Sequence, residues 1–414
     1  MSNTHFTIND QRLLVDFNAL SEIGETVDGG VNRLALSNED LQARAWFAER
    51  VDSAGLMMRD DDAGNLSGVL FCDDKDAQTL IVGSHLDTVP NGGRYDGAIG
   101  VLAGLECLRT IKDHDIKLPF HVEVIDFTDE EGAWQSLFGS RSLTGNFMPF
   151  NADVETDHAP FRAALFRAGI RPMDIYKAQR DPDSIRAYLE LHIEQGYRLD
   201  RDHFEIGIVN GIVGRINYEI TFKGQAAHSG TTARIHRKDA LLGAASFITE
   251  AHHLWDEDKY NEGIFNCGKL DVFPGAFNIV PSIAKVKFEL RHENQDILED
   301  WLQDIIDLAQ EQADKFELSV KSQLVQKIPV ASLSPTIEET LHEVSERIGV
   351  KYTKLTSFAG HDAQVMSAIT ETGLIFVPSV DGISHSPREF THWEHIIKGA
   401  NVLLNTMLKL GDVI

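Results

Sequence analysis

The chain has 414 residues, 43% of them hydrophobic and 25% charged. That length predicts two domains, and the apolar share excludes a disordered chain. The formal net charge of −26 argues against non-specific nucleic-acid binding and against docking on anionic lipid, although a local arginine can still receive an anionic small molecule.

Residues Met1 to Phe17 carry neither a basic nor an apolar leader segment. No apolar run approaches the roughly 20 residues needed to span a bilayer. The three cysteines, Cys72, Cys107 and Cys267, form no CxxC pair, so neither a disulfide framework nor a thiolate zinc site is expected. Cys107 reads as a small buried hydrophobe. A reducing cytoplasm is the expected compartment.

The first helix signal is a Ser37 cap with Asp40 three residues on, a stripe of Leu41, Ala45, Ala48 and Val51, and a stop at Gly55. The apolar runs 79–83 and 122–127 read as strands of a covered sheet, with a helix at 99–111 between them. This alternation predicts an α/β sandwich. Residues 215–223 and 284–291 alternate polar and apolar without a miss, which predicts half-buried strands. Between and after them come a helix at 238–251, a strand at 264–272, a helix at 295–313 and a strand at 317–324. The order β-α-β-β-α-β is ferredoxin-like, and it predicts a small domain at 214–330 inserted between catalytic parts at 1–213 and 331–414. Another core strand is expected at 375–378.

Several strand ends carry histidines and carboxylates. His85 and Asp87 follow the 79–83 run, and such ends gather functional groups in α/β sheets. Asp96 follows a glycine-rich turn and precedes a helix, where it reads as an N-cap or as a bridging ligand. Glu130 and Glu131 lie beyond an apolar strand; one on a metal and one moving protons would relieve the cost of burying both. A solvated acidic loop is the plainer reading of that pair. His192 lies on a strand and His385 in a loop. Together these are N and O donors suited to Zn²⁺, Mn²⁺, Co²⁺ or Ni²⁺.

The motifs GSHLDTVPNGGRYDG, DFTDEEG followed by LFGSR, LELHIEQG, GQAAHSGTT, FNIVPS, SFAGHDAQ and VPSVDGISHSP span positions 83 to 387. With them the chain resembles the M20 metallopeptidase-like amidohydrolases, in their hydantoinase/carbamoylase branch. That resemblance implies a catalytic α/β domain with two divalent ions and an inserted lid or dimerisation domain. Asp96 would bridge the ions, His85 and His192 would complete one site, and Glu131 and His385 the other. Glu130 would be the general base, and Asp87 would orient His85. His228 would be an oxyanion donor that reaches the partner subunit of a homodimer; alone it reads as a turn histidine. Gln195, Asn278 and Arg291 would bind substrate, and Gly360 and His361 would line the pocket. The implied reaction cleaves the ureido C–N bond of an N-carbamoyl-L-amino acid. Allantoate or ureidoglycolate is the alternative substrate, and a dipeptidase, an aminoacylase or a non-catalytic binding protein is a further alternative.

Three positions depart from that pattern. Ala133-Trp134-Gln135 stands where relatives carry a small residue and Arg-Phe, Ala233-Arg234 replaces Pro-Met, and Glu289 replaces an Asp. None is a ligand, so they bear on the substrate; Trp134 is expected to narrow or reshape the pocket.

Overall fold

A computed structural model of the chain describes residues 5–147 and 159–414. Residues 1–4, the start of the stretch read for a leader, lie outside the described residues. The chain divides into two compact units, one of residues 1–210 and 332–414 and one of residues 211–331. No helix among the described residues is long and apolar enough to cross a membrane.

The larger unit is built on a nine-stranded mixed sheet. At its centre the strand His121–Phe127 pairs in parallel with Thr79–His85, that strand with Ile185–Ile193, and that in turn with Thr372–Val377. These four are apolar runs because they are covered on both faces: nearly every residue in them is buried. The expected 375–378 strand lies in the last of them. Antiparallel strands extend the sheet on both sides, from Leu66–Leu70 on one and Ile206–Ile212 on the other.

The helix Ala98–Asp113 leaves the turn after Thr79–His85 and lies against the sheet, buried from Ala98 to Ile111, Cys107 included. It can lie so close because Gly100 presents no Cβ, which would otherwise overlap the Leu191 carbonyl. The chain runs from Thr79–His85 to a neighbour on one side and later fills the other side, so the order reverses at this strand. Sites in open α/β sheets form at such reversals, outside the carboxyl ends of the strands.

The helix Asn38–Ser53 carries the expected cap: Ser37 accepts the Asp40 N–H at 3.2 Å. Its buried face differs from the expected one. Ala43, Phe47 and Val51 point inward with Asp40, whereas Ala45 is exposed and Leu41 and Ala48 are half-buried. Asp40 takes an inward position because its carboxylate accepts the Leu36 N–H at 2.8 Å.

In the smaller unit the strands order as Ser319–Ile328, Gly214–Lys223, Ile283–His292, Ile264–Phe273, all antiparallel, which is the ferredoxin-like arrangement. The alternation is realised. Ile216, Tyr218, Ile220 and Phe222 on one strand and Ala284, Val286, Phe288 and Leu290 on its neighbour are buried. They pack against the helices Ala240–Trp255 and Gln295–Lys315. The second helix contributes Leu298, Trp301, Ile305, Ala309 and Ala313, with Leu302 partly buried.

Candidate metal centre

The carboxyl ends of the four parallel strands each deliver a functional group. His85 is the last residue of its strand, Glu130 and Glu131 follow the strand ending at Phe127, His192 precedes the final residue of its strand, and His385 lies in the loop after Val377. Asp96 stands just before the helix Ala98–Asp113. The chain turns sharply at Gly97 with φ +65°, and a side chain there would strike the His85 ring.

Among the described residues the donor atoms form three groups; two share Asp96, and the third, of Glu190, His192 and His361, overlaps the first at His192. His85, Asp96 and His192 lie within 4.8 Å of one another, and so do Asp96, Glu131 and His385. The Asp96 carboxylate divides its oxygens between them. Oδ1 lies 3.0 Å from His192 Nε2 and 3.8 Å from His85 Nε2, while Oδ2 lies 3.2 Å from His385 Nε2. Glu131 is 3.5 Å from His385 Nε2, and Glu130 is 3.6 Å from His85 Nε2.

The imidazoles are oriented for a cation. His85 Nδ1 donates to the Asp87 carbonyl at 3.0 Å, and His192 Nδ1 donates to the Ile193 carbonyl at 2.8 Å. Each Nε2 is then turned toward the Asp96 carboxylate, and that of His192 also receives the Gly97 N–H at 3.2 Å. A ring nitrogen 3.0 Å from a carboxylate oxygen is stabilised by a proton or a metal cation between them. The donor set of three histidines and two carboxylates therefore fits two divalent ions with Asp96 between them.

Electrostatics point the same way. Burial lowers the His85 imidazole to about 4, so it is neutral, as a ligand must be. Burial disfavours charge on Asp96, but hydrogen bonds with His192 and His385 outweigh it and hold the carboxyl well below its usual range. The same bonds raise His192 and His385 to about 9, against the burial of both rings, so a proton holds each of these contacts with Asp96 unless a metal cation takes its place. Burial, followed by the neighbouring Asp96, raises Glu131 to about 8. Burial and then Glu131 push Glu130 well above the carboxylate range. Cations at the two groups would relieve this crowding of carboxylates.

Asp87 acts through both of its acceptors. Its backbone carbonyl holds His85, and its carboxylate accepts the N–H groups of Glu130 and Glu131, each at 3.2 Å, which fixes the acidic turn. Asp129 tightens the same turn at φ +56° by accepting the Trp134 and Gln135 N–H groups. Trp134 stacks on Phe161 at 5.5 Å, and its indole N–H donates to the Ala35 carbonyl at 2.9 Å. This tryptophan anchors the turn to a small apolar cluster.

Gln195 belongs to the same cluster: its amide donates to Asp96 Oδ2 at 2.8 Å. His361 is buried with its ring edge-on to His192 at 4.5 Å and its Nε2 3.1 Å from the Ser357 hydroxyl, and half-buried Gly360 precedes it. His228, Asn278 and Arg291 lie in the smaller unit. His228 and Asn278 are exposed on a short ribbon formed by Ala227–His228 and Ile279–Val280, where the Asn278 carbonyl accepts the Ser229 N–H. His228 Nδ1 accepts the N–H groups of Gly230 and Thr231 at 3.1 and 3.2 Å, so the neutral ring carries its proton on Nε2. Arg291 Nε donates to Glu289 at 2.7 Å.

Glu190 and Glu389 are buried carboxylates beside these groups to which the sequence reading gives no role. Glu190 accepts from Ser84, Tyr188 and the Ala363 N–H beneath His192. Glu389 accepts the N–H groups of Tyr95 and Asp96 and the Ser384 hydroxyl. Glu190 carried a signal, as an acid two residues before a histidine on an apolar strand. Glu389 carried none, because most of its partners lie almost three hundred positions away.

Residues 81–409 match the model of peptidase family M20/M25/M40. The chain is 34% identical to an N-carbamoyl-L-amino-acid amidohydrolase from Pseudomonas sp. (strain NS671), over 97% of this chain and 99% of that one. It is 31% identical to an allantoate amidohydrolase from Bacillus subtilis, over 95% of each. A crystal structure of an amidase of the hydantoinase/carbamoylase family from Burkholderia multivorans superposes with a TM-score of 0.84 at 32% identity, covering 98% of both chains.

Proposed function

This chain belongs to the M20 family of amidohydrolases, in the hydantoinase/carbamoylase branch, which acts on non-peptide C–N bonds, and we propose that its substrate is an N-carbamoyl-L-amino acid. The products would be ammonia, carbon dioxide and the free amino acid. The division of the Asp96 oxygens between two ligand groups, with Glu130 beside them, carries the hydrolytic reading.

His85 and His192 would hold one ion, Glu131 and His385 the other, and Asp96 both. Bound there, the ions would acidify a water and polarise the carbonyl. Glu130 takes the proton of the attacking water on its carboxylate and returns it to the leaving nitrogen as the C–N bond breaks. Burial and then Glu131 raise this carboxyl above the ordinary carboxylate range, which suits a group that takes up and returns a proton. His228 donates its Nε2–H to the oxygen that gains charge; the hydrogen bonds on Nδ1 support this role. It would serve the partner subunit in a homodimer. Arg291, with Asn278 and Gln195, would receive the substrate carboxylate and ureido group, the planar guanidinium being suited to a carboxylate. Gly360 and His361 would line that pocket.

Allantoate is the second reading. The relative that acts on it is 31% identical, against 34% for the carbamoyl-amino-acid enzyme, and the ligands serve either substrate. Initial rates of the purified protein loaded with Mn²⁺, Co²⁺, Ni²⁺ or Zn²⁺ would be compared on N-carbamoyl-L-amino acids, N-carbamoyl-β-alanine, allantoate, ureidoglycolate, N-acetyl amino acids and dipeptides. The expected result is the highest kcat/KM on an N-carbamoyl-L-amino acid. A higher value on allantoate would transfer the assignment to it, and no turnover of any ureido acid would overturn both.

A further inference from the structure

The two halves of the metal centre are held in different ways. His85 and His192 are set by strands and by backbone carbonyls, and each side chain is 2% exposed. His385 sits in a loop at φ +53° with its side chain 49% exposed. Something must fix that loop against Asp96. We propose that Glu389, which touches no reacting group, is the positioning residue that builds the Asp96–Glu131–His385 half of the centre. The inference rests on the two-ion reading above.

Glu389 is buried, and both of its oxygens are in use. Oε1 accepts the backbone N–H groups of Tyr95 at 3.0 Å and Asp96 at 3.1 Å, and Oε2 accepts the Ser384 hydroxyl at 2.8 Å. One carboxylate thus ties the turn that carries Asp96 to the residue preceding His385. Ser384 lies 3.2 Å from Asp96 Oδ2 as well, which extends the tie to the shared carboxylate. Gly93 makes room for it, since a Cβ at that position would overlap the Glu389 carboxylate. The adjoining rings of Tyr95 and Phe390, 6.0 Å apart and perpendicular, bind the same two segments. Glu389 reaches the Asp96–Glu131–His385 half through both Asp96 and Ser384 but the His85–His192 half only through the shared Asp96, so its loss should weaken the first half more than the second.

The test is the number of ions per chain, measured by elemental analysis of the full-length protein equilibrated with buffered Zn²⁺ or Mn²⁺. Wild type should bind two. Glu389→Ala should bind one ion about 10- to 100-fold more weakly, the usual cost of removing a group that orients a ligand, and the other with a clearly smaller loss. Glu389→Gln should behave as wild type, because its amide oxygen can accept both N–H groups and its NH₂ can donate to Ser384. Gly93→Ala should reproduce the alanine variant and replaces it if that variant fails to fold. Adding Glu389→Ala to His385→Ala should cause no further loss of the more weakly held ion. Wild-type binding of two ions by Glu389→Ala, equal weakening of both, or failure of Glu389→Gln to restore binding would overturn the proposal. A wild type that binds fewer than two ions would instead refute the two-ion reading itself.

Discussion

Glu123 lies in the strand His121–Phe127 that leads to Glu130 and Glu131, and it is fully buried. Burial raises its carboxyl, but Arg180 outweighs burial with a bidentate pair at 2.7 and 2.6 Å, so the pKa sits below its ordinary value. A depressed folded-state pKa means that the stabilisation is present above the unfolded value of about 4.3 and is lost as pH falls through the folded one. Arg180→Met should therefore cost about 3–5 kcal/mol at neutral pH by stranding a buried carboxylate. The gap between the urea midpoints of wild type and variant should narrow as pH falls below the unfolded value of about 4.3 and close only once Glu123 takes up a proton in wild type as well. A gap that is constant from pH 7 into that range would contradict the assignment.

At the scale of elements, the strand patterns were legible and the helix faces less so. Strict alternation located Ile216 to Phe222 and Ala284 to Leu290 because a sheet covered on one face imposes period two. The helix Asn38–Ser53 was placed correctly but faced wrongly, since a polar Asp40 occupies the inner side in order to cap Leu36. The donor residues at strand ends were legible because their motifs are contiguous, and the structure brings their side chains together. Glu389 was not, because backbone donors from a distant turn leave no pattern in its own neighbourhood. The loop that carries His228 gives a prediction at this scale. Its backbone N–H groups fix the ring with Nε2 as the donor. His228→Ala should lower kcat by about 10²- to 10³-fold with little change in KM, as for loss of one oxyanion donor. Steady-state kinetics decide: a raised KM with kcat kept would make His228 a binding residue instead.

The whole molecule is proposed to be a homodimer in which His228 serves the partner subunit. Size-exclusion chromatography with light scattering should give twice the chain mass. A sharper test mixes two inactive variants, His228→Ala and His85→Ala, under conditions that exchange subunits. Mixed dimers carry one intact metal site and, if His228 acts in trans, an intact histidine from the other chain, so activity should return. No recovery in verified mixed dimers would place His228 in its own subunit's site.

The most direct test of the central claim is ammonia release from an N-carbamoyl-L-amino acid by metal-loaded wild type and Glu130→Gln, with ions per chain measured on the same samples. The account predicts two ions in both and a turnover about 10²- to 10⁴-fold lower in the variant, the range for loss of a general acid–base group. Undiminished turnover by Glu130→Gln would remove Glu130 from the reaction and contradict the account.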